Sequence, residues 1–113
     1  MRLGAAIYAD ECSACHTPSG KGVPNLFPSL AGSAAVQQDD PSSLIRIVLG
    51  GMQSVATGAA PTGPEMPLFG WVLDDRQTAA VLTYIRNSWC NAAPAVSADE
   101  VGKARHRLAE STD

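Results

Sequence analysis

Leu3, Gly4, Ile7 and Tyr8 fall at i, i+1, i+4 and i+5, a spacing that lays one apolar stripe along a short helix. Cys12 continues that row one turn beyond Tyr8, which predicts that the first helix ends among the cysteines. The following stretch, TPSGKGVPNLFPSLAG, is dense in proline and glycine and is predicted to be loop. A second helix is predicted from Gln37 to Gly51, with Asp40 as N-cap and Pro41 at its first position. Its Leu44, Ile45, Ile47, Val48 and Leu49 are apolar nearly all round, so it belongs largely inside. From Gly51 to Gly70 the pattern returns to loop, with prolines at 61, 64 and 67. A structureless span of that length is usually functional or disordered. Asp74 is placed to cap a third helix, in which Val81, Leu82, Tyr84, Ile85 and Trp89 recur at helical spacing. Beyond Pro94, SADE reads as a capping box for a weak last helix through Leu108, or as the start of a frayed polar end. No strand pattern or internal repeat stands out. The chain reads as mainly helical.

At 113 residues it is the size of one small domain. Apolar residues make up 45% and charged residues 17%, a balance that suits a globular chain over a disordered one. Only six residues are aromatic, so the core has few large side chains and a buried cofactor would fill it. The net charge of −3 argues against nucleic acid, whose phosphates call for a basic surface. No apolar run approaches bilayer length. Met1 to Asp10 holds no long apolar stretch, so no export leader is read there. Three cysteines is an odd count that a simple disulfide framework cannot use up.

The chemistry concentrates in ECSACH, residues 11–16. Cys12 and Cys15 fit a redox disulfide, half of a zinc site or, with His16 attached, a c-type haem sequence. Zinc would need further ligands, and only Cys90 and His106 remain, neither framed by motif spacing. For haem, Cys12 and Cys15 tether the porphyrin edge and His16 takes one axial position. A methionine opposite histidine raises the reduction potential. Met66, Met52 and His106 are the candidates for that second position. Met66 is the strongest, because Pro64 and Pro67 restrict its loop. Met52 follows two glycines at a helix end and reads as packing; His106 reads as solvated surface between Arg105 and Arg107.

The pieces CSACH, GKGVPNLFPSLAG, DPSSLIRIVLGG, APTGPEMPLFGW and LTYIRNSW stand in one order over residues 4 to 96. In them the chain resembles a class I c-type cytochrome, in particular the haem domains of cytochrome subunits serving bacterial alcohol, sugar and aldehyde dehydrogenases. The resemblance implies Cys12 and Cys15 as thioether positions, His16 as proximal ligand and Met66 as distal ligand. It implies that the Pro24 carbonyl accepts the proximal imidazole's other N–H. Gly4 with Tyr8, and Val81 with Tyr84, match the crossing of first and last helices. Leu26, Phe27, Leu30, Phe69 and Trp71 are read as haem-pocket wall, with Trp71 or Arg46 a partner for a haem propionate. Arg46 and the Arg105–Arg107 cluster also have the plainer reading of solvated surface. One position departs: relatives usually read Trp-Gly-Asn where this chain reads Trp89-Cys90-Asn91. Glycine suits the left-handed turn after a helix and cysteine does not, so either that turn differs here or the thiol has a role, bridging two copies or tethering the protein; an incidental free thiol is the plainer reading.

The expected fold is therefore all-α: a class I cytochrome c domain of three main helices and loops round one covalent haem c. The expected division is a haem domain over 1–96 and a polar tail or short helix over 97–113. The resemblance implies one-electron transfer rather than catalysis. Electrons would come from a dehydrogenase or neighbouring haem domain and pass to a quinone, another cytochrome or an oxidase. Covalent haem attachment implies the periplasm or the outer face of the cytoplasmic membrane, so the written chain would be a processed form or an excised domain. A haem-based gas-binding domain with a displaceable Met66 is the alternative.

Overall fold

Three helix starts are made by the capping side chains the sequence marks for them. The computed structural model describes residues 2–23, 29–50, 52, 53, 65, 66, 69 and 72–111, with residues 14, 15, 52, 53, 65, 66 and 109–111 described by backbone alone. Among them run the helices α1 (Arg2–Ile7), α2 (Ser13–His16), α3 (Ser42–Gly50), α4 (Asp75–Arg86) and α5 (Ala98–Ser111). Before α3, Asp40 accepts both the Ser42 amide at 2.9 Å and the Ser42 hydroxyl at 2.6 Å. Those bonds hold the Asp40 carboxyl below the usual carboxylate range. Asp74 accepts the Gln77 amide at 2.7 Å while the Gln77 side chain accepts the Asp74 N–H at 2.9 Å, a complete capping box. Ser97 and Glu100 repeat the device at the start of α5, each side chain accepting the other's amide at 3.1 Å.

The first helix differs from the regular one expected. Between α1 and α2, Tyr8–Cys12 is a π turn, and the Ser13 N–H reaches back five residues to the Tyr8 carbonyl. Such bulges recur at functional sites. Gly4, Ile7 and Tyr8 form the buried face, while Leu3 is exposed, so the apolar stripe is narrower than the spacing implied. α1 packs chiefly on α4. A Cβ at Gly4 would run into the Ala80 carbonyl and come within 2.8 Å of Tyr84 Cβ, so only glycine lets the two backbones meet.

α3 begins at Ser42 rather than Gln37, because the Ser33–Gln37 stretch closes as a separate turn and Pro41 starts the helix. Ile45, Val48 and Leu49 are buried, joined in the core by Phe69, Leu73, Val81, Leu82 and Ile85. After α3 a two-rung antiparallel ladder appears where only loop was expected: β1 (Met52–Gln53) pairs with β2 (Glu65–Met66). Two residues per strand are too few to show an alternating pattern, and the architecture stays helical. The last helix is neither short nor frayed. α5 is the longest of the described helices, and Val101 and Ala104 bury its inner face against α3 and α4.

Candidate functional site

Cys12 closes the π turn, and Cys15 and His16 end α2. Helical residues three and four apart are neighbours on one face, so this backbone gathers positions 12, 15 and 16 on one side. Cys12 is half-buried and packs on the core, and the His16 side chain is half-buried. The chain then turns sharply. Thr17 leaves the helix at φ +66°, its N–H bonded to Ser13 O at 2.9 Å, and the His16 carbonyl accepts the Gly22 N–H at 2.9 Å. The Tyr8 hydroxyl donates to Thr17 O at 2.6 Å, and the Trp89 indole N–H donates to Pro18 O at 3.1 Å. Burial, with Cys12 and Tyr84 adding, pushes the Tyr8 phenol up to about 12. The far end of this loop is tied down as well: Gly20 O accepts Leu30 N–H at 2.6 Å and Ala31 N–H at 2.9 Å.

Met66 lies on β2 with Met52 as its register partner on β1, so one rung brings together the two methionines that sequence alone left as rivals. Phe69 is buried, and its N–H donates to Val48 O at 3.0 Å, fastening the chain beyond β2 to α3. Leu30 is half-buried against the core. Pro24, Leu26, Phe27 and Trp71 lie outside the described residues. Arg46 is exposed on α3, where it lines a shallow groove with Ser43, Ile47, Gly50 and Leu108. His106 is exposed on α5. Cys90 is exposed, forms no disulfide and has φ +69°, so the turn keeps the left-handed conformation that favours glycine.

Arg105 corrects the reading of its cluster as solvated surface. Its Nε donates to Asp75 at 2.8 Å and its Nη2 to Leu73 O at 2.9 Å, pinning α5 to the start of α4. Two further residues escaped sequence reasoning. Asn91 is buried and accepts from Gly32 N–H at 2.7 Å while donating to Leu30 O at 2.9 Å and Ile85 O at 3.1 Å, so it clamps the loop to the end of α4. Arg86 is 1% exposed; its Nη2 donates to Gln38 O at 2.6 Å, and its Nε and Nη1 have no hydrogen-bond partner among the described residues. The available signal was its place four residues after Leu82, on the buried stripe.

Two sulfur positions and an imidazole on one turn, backed by a hydrophobic core, fit the donor set for a tethered iron porphyrin. Among the described residues no three His, Cys, Asp or Glu side chains gather as a metal cluster. No described helix is long and apolar enough to cross a membrane.

Comparison with known proteins identifies the family. The gluconate 2-dehydrogenase cytochrome c subunit of Pantoea cypripedii is 43% identical over 106 residues, covering 92% of this chain and 24% of that protein. The alcohol dehydrogenase (quinone) cytochrome c subunit of Gluconobacter oxydans is 41% identical, covering 90% and 22%. Cytochrome c-552 of Thermus thermophilus is 34% identical, covering 90% of this chain and 83% of its own length. The chain thus spans about a quarter of the dehydrogenase subunits it matches. The family model for cytochrome c matches residues 1–89. With the cysteine–histidine turn, the all-helical core and this match in agreement, the chain belongs to the cytochrome c family, whose members carry covalently attached haem c.

Proposed function

We propose that this domain transfers single electrons through one haem c bound by thioether bonds from Cys12 and Cys15, with His16 and Met66 as axial ligands. The observation that carries the reading is the Cys-x-x-Cys-His turn, with Cys12 and His16 half-buried, inside a stretch matched by the cytochrome c family model. The bound group supplies a one-electron ferric–ferrous couple. The chain does the rest. The bonds at His16 O, Thr17 N and Thr17 O hold the histidine's turn rigid. Phe69 and Leu30 supply apolar surface that keeps water out and favours the less charged reduced state. Met66 is the distal ligand because a thioether opposite imidazole suits a relay of high potential.

With both axial positions filled, no site is open to substrate, so the domain is a carrier and not an enzyme. Residues 1–96 form the haem domain, and 97–113 a polar C-terminal extension that includes α5. The similarity to gluconate and alcohol dehydrogenase cytochrome subunits supports a dehydrogenase or neighbouring haem domain as donor. A quinone, another cytochrome or an oxidase is the acceptor. Haem attachment outside the cytosol places it in the periplasm or on the membrane's outer face.

Met66→Ala tests the ligand assignment. The variant should keep its haem, lose the weak far-red absorption of methionine-ligated ferric iron and fall in midpoint potential. Persistence of that band would refute Met66 as ligand. Rapid carbon monoxide binding by the reduced, unaltered protein would favour gas binding over electron transfer.

A further inference from the structure

Two aromatic donors converge on the turn that follows His16. Tyr8 Oη bonds to the carbonyl one residue beyond the histidine, and Trp89 Nε1 to the carbonyl two residues beyond. Their rings touch, with centroids 5.1 Å apart, and Tyr84 closes the triangle at 5.6 Å and 5.9 Å. The indole also lies against Gly20, where a Cβ would come within 2.5 Å of the ring. Thr17 O and Gly20 N–H are bonded to each other at 3.0 Å, but that bond stays within the turn. The two aromatic donors are what bind the turn to the crossing of α1 and α4.

The arrangement is held against a conformational cost. Thr17 at φ +66° and Trp89 at φ +51° both stand in the left-handed region, which is unfavourable for a residue with a Cβ. The hydrogen bonds that Tyr8 and Trp89 make offset that cost. We propose that Tyr8 and Trp89 are positioning residues for the axial imidazole: by fixing the carbonyls of Thr17 and Pro18 they fix the direction in which the chain leaves His16, and with it the plane of the imidazole about the iron axis. This rests on His16 being the proximal ligand. Ring plane and water access both tune a haem's electronic state, so the effect is readable without any partner protein.

The test uses matured holoprotein in three forms, Tyr8→Phe, Trp89→Phe and the double variant; the first removes the donor and leaves the ring in place, and the second removes the donor and keeps a smaller aromatic ring. Haem content should be unchanged. The electron paramagnetic resonance g-values of the ferric state should shift, and the midpoint potential should fall, in each single variant and further in the double. A lower melting temperature with unaltered g-values and potential would reduce both residues to packing and overturn the proposal. If the double variant fails to mature, the single variants decide by the same two readouts. Histidine-selective nitrogen-15 labelling of the unaltered protein, read by electron–nuclear double resonance, separates an axial imidazole from the porphyrin nitrogens and tests the ligand assignment on its own; absence of a labelled nitrogen on the iron would remove His16 from it and the proposal with it.

Discussion

At the residue scale, Cys90 holds a left-handed backbone at φ +69° that a glycine adopts without strain. Cys90→Gly should therefore raise stability by about 1 kcal/mol, read as a higher melting temperature with an unchanged haem spectrum. The sequence marked this position, because a cysteine stood where a helix-terminating glycine was expected. Tyr8 makes a second prediction. Its phenol, lifted to about 12 from an ordinary value near 10, binds its proton more tightly folded than unfolded. The resulting stability is fully present below pH 10 and is lost as pH rises through about 12. Tyr8→Phe should remove that alkaline slope from a series of denaturation curves; an unchanged slope would assign it to another group. The Cys12-x-x-Cys15-His16 motif stands out in the sequence because the attachment chemistry it matches demands adjacency. Asn91 and Arg86 were not, because their partners lie across the fold, at residues 30, 32 and 38.

At the scale of elements, the helices were legible wherever periodicity and a capping side chain coincided, as at Asp74 and Ser97. The π turn was not, since it depends on which carbonyl an amide chooses and leaves no mark in residue type. The two-rung ladder was too short to leave one. The crossing of α1 and α4 is the joint on which the cysteine-bearing turn hangs. Gly4→Ala places a methyl against the Ala80 carbonyl, a backbone atom that cannot step aside. It should cost about 2–3 kcal/mol, in the range of core overpacking, and be visible as an early denaturation midpoint. An unaffected midpoint would mean that the helices part more readily than their contact implies.

For the molecule as a whole, six aromatic residues leave much of the interior to be filled by something other than side chains. Haem c fills it, so protein made with Cys12→Ala and Cys15→Ala and never loaded should lack a cooperative melt. Circular dichroism should show much of its helix content gone; a sharp transition at the holoprotein's temperature would contradict this. The family and the helical class were legible from the order of motifs along residues 4–96. The role of α5 was not, because a polar surface with Val101 and Ala104 as its buried contacts reads as a loose end until its partner helices are in view. The pairing of Met52 with Met66 carries one more consequence. Because residue 66 pairs with residue 52, the place where the chain returns is set by two backbone rungs anchored just after α3.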